Sequence, residues 1–331
     1  MEEGIGNVKL KHGLVLAPMA GFSDRAMRLV SKECGAEYVV TEMVSAKAVV
    51  YGDKKTHKLA KIMADEAPCA LQIFGSEPDI MGKAAMILSS GEEGGVAPSA
   101  IDINMGCPVK KVFMNGEGSA LMKDPDLIYQ IVKSVRNNTD IPCTVKMRAG
   151  IDDDHKNAVE CALAAEAAGA ALVAVHGRTR VEMYKGNADL EIIKSVRDSL
   201  KIPVIANGDI KDAKSAIYAL RFTGAQGIMI GRGAIGNPFV FEEIKCALEG
   251  RAFVPKTTEE RIDTALRQLR YAIEDKGESV AVREARGQIA FYIGGFRGAA
   301  ATRAKINRAL TYCDVECAMM EILENNAEEI L

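Results

Sequence analysis

"PVIANGDIKDAKSAIYALRFTGAQGIMIGRGAIG", residues 203–236, decides the fold. The apolar run "PVIANGD" gives way to a segment of helical periodicity, and a second apolar run, "GIMIGRG", starts at 227. Strand, helix, strand at this spacing reads as a βα repeat. The rhythm continues upstream with "LVLAPMA" at 14, "YVVTEM" at 38, "CALQIFG" at 69, "AIDINMG" at 100, "PCTVKMR" at 142 and "LVAVHGR" at 172. The eight starts are separated by 24, 31, 31, 42, 30, 31 and 24 residues. Between them lie segments with helix signals. In "DPDLIYQIVKSVR", Asp124 is placed as N-cap and Pro125 at N1, with apolar residues at 127, 128, 131, 132 and 135. Eight such units predict an α/β fold, a (β/α)8 TIM barrel within residues 1–245. A doubly wound sheet also alternates, but rarely with eight units so even. From about residue 256 the strand signal stops, and residues 246–331 read as a small C-terminal helical domain.

The composition narrows the function. The chain has 331 residues, 48% of them hydrophobic, enough for a large core. A formal charge of −3 excludes a generally basic nucleic-acid coat, so any RNA contact must be local. No apolar stretch approaches a membrane span, and the N-terminal "MEEGIGNVKLKHG" has no apolar leader core, which makes the cytoplasm the expected location. The eight cysteines, at 34, 69, 107, 143, 161, 246, 313 and 317, form no C-x-x-C pair, which argues against zinc and against a disulfide framework. Most are expected to be small buried apolar residues; no metal is expected.

Each apolar run ends in polar or small residues: Met19 and Ala20, Glu42, Gln72, Asn104, Lys146 and Arg148, His176, Asn207, Arg232. In a barrel these ends share the face where active sites sit. "GRGAIG", 231–236, matches G-x-G-x-x-G, yet no second strand with a terminal acid follows, since Glu249 falls at the end of a helical segment. Read as barrel loops seven and eight, "NGDI" at 207–210 and "GRGAIG" instead form a phosphate site of backbone N–H groups, to which Arg232 adds a charge-assisted bond. A phosphorylated cofactor or substrate follows. "DINMGCPVKK", 102–111, places the lone thiol of Cys107 between glycine and proline in a loop, where packing gives it no reason to be.

The residues "LAPMAGFSD", "LQIFGSEP", "DINMGCPVKK", "GEGSALMKDP", "VKMRAG", "VHGRTR", "IANGDI" and "GRGAIGNP", in this order, resemble the tRNA-dihydrouridine synthase family of bacterial type. The resemblance covers about residues 7 to 310. It implies an FMN enzyme that takes hydride from NADPH and passes it to uracil rings within tRNA. Carried over, Pro18, Met19 and Ala20 line the flavin ring, Gln72 and Lys146 address its polar edge, and His176 lies beside it. Asn207, Gly208, Asp209, Gly231 and Arg232 hold the ribityl phosphate, and Cys107 is the proton donor. "REARGQIAFYIGGFRGAAATRAKIN" resembles the family's tRNA-binding segment, but Gly287 and Gln288 stand where a Lys-His pair is usual.

The chemistry of the residues agrees. Saturating the C5–C6 bond of uracil needs hydride at C6 and a proton at C5, so the acid must face the flavin across the ring. A thiol of ordinary pKa near 8.5 is mostly protonated at neutral pH, and Lys110 and Lys111 would lower that value if they pointed inward. Lys146, between apolar residues at a strand end, suits the anionic charge of reduced flavin near N1 and the C2 carbonyl. The target base must be extruded from folded tRNA. Asn104, Arg148 and Arg178 are candidate contacts to the RNA substrate; the two arginines equally suit structural pairs with Asp152 or Asp153. Between 283 and 308 the charge is net +5, and Arg283, Arg286, Arg303 and Arg308 are candidate phosphate contacts. They would otherwise pair with acids such as those of the tail "ENNAEEI", 324–330. Phe291 and Tyr292 read as core residues, and a monomer is expected. Three rivals remain: an FMN barrel reductase of a free pyrimidine, a Schiff-base aldolase using Lys146, and a non-catalytic RNA-binding protein.

Overall fold

The computed structural model describes Gly4, Ile5 and residues 8–326. Nine parallel strand segments, β1 (Leu14–Leu16), β2 (Tyr38–Val40), β3 (Val44–Ser45), β4 (Cys69–Phe74), β5 (Ala100–Met105), β6 (Cys143–Arg148), β7 (Leu172–His176), β8 (Val204–Asn207) and β9 (Gly227–Ile230), build one sheet. It closes on itself, because β1 pairs with β2 on one side and with β9 on the other, and β2 pairs with β4. The barrel has eight staves, as the eight apolar runs require. The second stave is split: β2 and β3 both run along β4, with Val40 opposite Ala70 and Val44 opposite Ile73. At the break Thr41 donates its N–H to Ala70 O, and its hydroxyl accepts from Gln72 N, both at 3.0 Å.

Two apolar layers follow from the period of two along each strand. One set of side chains faces the helices. The other fills the barrel interior, where Val15, Tyr38, Ala70, Ala100, Leu172, Ala174, Ile205 and Met229 form a core closed from below by Ile5 and Leu10. Site residues continue this inward set towards the C-terminal rim. Around the barrel lie helices such as Pro125–Asn138, where the Asp124 carboxylate accepts from Leu127 N and Ile128, Ile131, Val132 and Val135 are buried. The last barrel helix, Val240–Leu248, runs across residues 245 and 246.

A second core begins with the helix Thr258–Lys276, whose N-terminus is a capping box of Thr257 and Glu260. Helices Glu278–Tyr292, Ala299–Ile306 and Tyr312–Asn326 complete it around Ile262, Leu269, Val282, Ile289, Tyr292 and Met319. Polar ties join it to the first barrel helix, Arg25–Glu33: Arg267 and Tyr271 bond Glu33, and Lys276 bonds Asp24 at 2.7 Å. Five cysteines are buried as expected, but Cys313 and Cys317 are exposed, one turn apart with sulfurs at 3.9 Å. No helix of the described residues is long and apolar enough to cross a membrane, and no cluster among them is suited to a metal ion.

Candidate active site

The strand ends do gather on one face. Gln72, Asn104, Lys146, Arg148, His176 and Asn207 all point inward, and the ladder aligns Asn104 with Lys146, Arg148 with His176, and His176 with Asn207. The loop after β1 brings Pro18, Met19 and Ala20 to this rim, and Ser23 fixes its turn by accepting from Met19 N at 2.7 Å. Gly21 anchors the loop at two points: its N–H donates to Glu42, and its carbonyl accepts from Gln288 of the helical domain at 3.2 Å. Gln288 thus stands buried between the domains, bonded also to Gln268, while Gly287 is exposed.

The two glycine loops, 207–210 and 231–236, lie side by side. Gly208 has φ +126°, and a Cβ there would come within 2.5 Å of Ala188 Cβ and 3.0 Å of His176. At Gly233 a Cβ would meet Ile210 O at 2.3 Å, because the loops touch. Only glycine allows this approach. Among the described residues, the N–H groups of Gly208, Asp209, Gly231, Arg232 and Gly233 have no acceptor. Asp209, itself at φ +53°, contributes its carboxylate to arginines: Arg178 Nη2 at 2.8 Å and Arg232 Nη2 at 3.7 Å. The site therefore fits a phosphate through backbone donors and Arg232, whose side chain is about half exposed.

Beside these loops the rim is cationic. Lys146 has no hydrogen-bond partner among the described residues; burial and the neighbouring Arg148 push its pKa down to about 8. His176 is pushed down to about 2 by burial first, then by Lys146, Arg148, Arg178 and Arg232, so its imidazole is neutral. Its Nε2 faces Arg178 Nη1 at 3.5 Å, which leaves the ring proton on Nδ1.

Arg148 and Arg178 do not pair with Asp152 or Asp153, which hold His155 and Lys156 instead. Arg148 donates to the carbonyls of Gly106, Thr179 and Met183, and Arg178 to those of Lys185 and Gly186 besides Asp209. Both are buried loop ties. Backbone carbonyls leave no mark in a sequence, so these partners were not legible. Tyr184, which the sequence reading passed over, sits at the mouth with Arg232 4.7 Å and Arg148 6.0 Å from its ring centre.

Cys107 is partly buried at the start of the loop after β5. Its N–H donates to Asn104 Oδ1 at 2.9 Å, and its carbonyl accepts from Ser119 Oγ at 2.8 Å. Ser119 lies in "GEGSALMKDP", which explains what that stretch does. Burial raises the thiol pKa, against smaller opposing effects of a backbone contact at Val109 and of Arg148 and Lys146. Lys110 and Lys111 are exposed, so the condition for a lowering by them, that they point inward, is not met. The thiol stays protonated at neutral pH, suited to giving up a proton.

On the helical domain Arg283, Arg303 and Arg308 are exposed, and none meets an acid among the described residues. Arg286 differs: half-buried, it donates to Ala309 O at 2.6 Å and ties the helix Glu278–Tyr292 to the connection between Ala299–Ile306 and Tyr312–Asn326. Glu284 and Lys305 are engaged with Lys276 and Glu321. Residues 327–330 of the acidic tail lie outside the described residues. Tyr292 is buried as expected, with its hydroxyl on Gln268, but Phe291 is exposed beside Gly236.

A family model described as dihydrouridine synthase matches residues 15–328. A "probable tRNA-dihydrouridine synthase" of Rickettsia conorii is 41% identical over 305 residues, 92% of this chain and 91% of that protein. The "tRNA-dihydrouridine synthase B" of Vibrio vulnificus is 39% identical over 327 residues, 98% and 99% of the two chains, and that of Shewanella oneidensis 40% over 290, 87% and 88%. Among solved structures, histamine dehydrogenase from Rhizobium sp. 4-9 superposes with a TM-score of 0.55 at 12% identity, over 86% of this chain and 50% of that one. A 2-naphthoyl-CoA reductase complex gives 0.53 at 14%, over 75% and 51%. These two likenesses are of fold alone.

Proposed function

The chain belongs to the dihydrouridine synthase family of flavin-dependent oxidoreductases, and from that premise we propose that it reduces the C5–C6 bond of uridines within tRNA, with FMN as its flavin and NADPH as the reductant. It acts in the cytoplasm as a monomer, with residues 1–245 as catalytic barrel and 246–331 as the RNA-gripping domain.

The observation that supports this reading best is the partly buried thiol of Cys107, its N–H held by Asn104, on the same rim as the paired glycine loops. The loops take the FMN phosphate on their free N–H groups and Arg232, while Asp209 orients that arginine. Pro18, Met19 and Ala20 give the ring an apolar wall, and Gln72 and neutral His176 offer donors at its edge. Lys146 has no hydrogen-bond partner among the described residues to leave, and a neighbouring anion would raise its pKa and hold it charged. FMN held by these residues would supply hydride chemistry for C6 of the uracil. Cys107 holds a proton at Sγ and delivers it to C5, and the raised pKa keeps the proton in place until carbon takes it. Asn104 holds the Cys107 amide, so the acid has a fixed address. Arg148 and Arg178 support the mouth through their loop carbonyls, and Arg283, Arg303 and Arg308 meet phosphates outside it.

The test is to incubate the yellow holoenzyme and NADPH with tRNA from cells lacking dihydrouridine, then map the product by mass. New residues two mass units heavier at defined uridines are expected. Colourless protein that ignores added FMN, or reduction of free uracil with tRNA untouched, would overturn the reading, the latter in favour of a free-pyrimidine reductase.

A further inference from the structure

At the floor of the site Asp102 and Thr144, which have no part in the proton and hydride chemistry, head a line of polar side chains that ends at Cys107. Asp102 on β5 is buried, and its carboxylate accepts from Thr144 Oγ1 at 2.6 Å and from Gln72 Nε2 at 2.7 Å. Gln72 Oε1 accepts from Asn104 Nδ2 at 2.8 Å, and Asn104 Oδ1 accepts from the N–H groups of Cys107 at 2.9 Å and Gly106 at 3.2 Å. The register of the barrel sets this line across three staves, with Gln72 opposite Asp102 and Asp102 opposite Thr144.

The two ends have fixed polarity. A carboxylate only accepts, and a backbone N–H only donates. Each amide between them has one end of each kind, so a single arrangement makes every bond: nitrogen of Gln72 towards Asp102, nitrogen of Asn104 towards Gln72, oxygen of Asn104 towards Cys107. Burying a carboxylate is costly, and burial does push the Asp102 pKa up, while Thr144, Gln72 and the cation of Lys146 oppose that shift. A costly group kept at the head of a fully satisfied line calls for a reason beyond packing.

We propose that Asp102 is the positioning residue of Cys107: as hydrogen-bond acceptor at the head of the line it locks Gln72, Gln72 locks Asn104, and Asn104 sets the loop that presents the thiol. The proposal deepens the reading of Cys107 as proton donor and rests on it for its catalytic consequence; the placement of the thiol is measurable without it.

The experiment is alkylation of the FMN-saturated holoenzyme with iodoacetamide at one pH, reading the Cys107 peptide alone by mass spectrometry, beside a melting curve. Asp102→Leu removes the acceptor and is expected to change the Cys107 rate by about tenfold, the equivalent of ~1.4 kcal/mol. Asp102→Asn is expected to keep the parent rate within a factor of about two, since its oxygen still accepts from Gln72 while its nitrogen turns to the Thr144 hydroxyl. Thr144→Val removes a bond from Asp102 but leaves the line intact, so it lowers the melting temperature and leaves the thiol rate alone. Should Asp102→Leu fail to fold, Gln72→Met cuts the same line and must reproduce the rate change. Parent reactivity in the variant that cuts the line would overturn the proposal. So would a Thr144→Val effect as large as that of the cut, which means general loosening, or Asp102→Asn behaving like Asp102→Leu, which means that charge rather than the bond matters. Loss of dihydrouridine formation in the parent would sink the catalytic reading and leave these alkylation results standing.

Discussion

The barrel rim and the arginine face of the helical domain are both polar, and they are built in opposite ways. On the rim nearly every side chain is committed: Arg148 to three carbonyls, Arg178 to two carbonyls and Asp209, Asn104 to Gln72 and Cys107. Among the described residues, the rim leaves the backbone N–H groups of the glycine loops and Lys146 without a hydrogen-bond partner. On the helical domain the reverse holds, since Arg283, Arg303 and Arg308 are exposed without acidic partners among the described residues. Bond-making needs groups held within fractions of an ångström, whereas a phosphodiester chain is met well enough by mobile charge. The difference matches the proposed division, with chemistry in one region and affinity in the other.

The largest effect that would sharpen this contrast is at Arg232. As the one rim arginine with a half-exposed side chain, it is expected to hold the cofactor phosphate by a charged hydrogen bond. Arg232→Ala should then weaken FMN binding by about 1.5–3 kcal/mol, roughly 12- to 140-fold, in fluorescence titration of the apoprotein. Equal affinity would leave the phosphate to the N–H groups alone.

A smaller effect concerns the cationic rim. His176 has a pKa of about 2 in the folded protein, against about 6.5 unfolded, so below pH 6.5 only the unfolded chain takes up the proton. Stability from this residue is fully present above that value and is lost as pH falls. Between about pH 7 and about pH 5.5 the loss should be about 1.2 kcal/mol in urea unfolding, and His176→Gln should lack this part. An identical pH slope in both proteins would mean that the rim does not hold the imidazole neutral.

Smallest is the division within the arginines. Arg283→Ala, Arg303→Ala and Arg308→Ala should each flatten the plot of log tRNA affinity against log salt by roughly 0.7 to 0.9 units. Arg286→Ala should lower the melting temperature instead, because it strips the bond to Ala309 O. A uniform response of all four would erase the distinction between tie and grip.

How much of this was legible follows from what each feature depends on. Eight staves, the inward strand ends and the two glycine loops were readable, because period-two alternation and the φ of Gly208 are local properties. The line from Asp102 to Cys107 was not, although Asp102 and Asn104 share a face in "DINMG". Its middle member, Gln72, comes from another strand, and cross-strand register is invisible in one sequence. The same holds for Arg178, whose partner Asp209 lies 31 residues away, and for Gln288, whose partner Gly21 belongs to the other domain. The exposure of Phe291, read with Tyr292 as a core residue, follows from its place over the Gly236 turn, again a tertiary fact.

The most direct test of the division is single-turnover reoxidation of the NADPH-reduced enzyme over a range of tRNA concentrations, which separates limiting rate from half-saturation. Cys107→Ala should lower the limiting rate about 10²- to 10⁴-fold and leave the half-saturating tRNA concentration at the parent value. The combined Arg283→Ala, Arg303→Ala and Arg308→Ala variant should do the opposite, raising half-saturation while the limiting rate holds. A Cys107→Ala enzyme that reoxidises at the parent limiting rate, or an arginine variant whose limiting rate falls with half-saturation unchanged, would contradict the account.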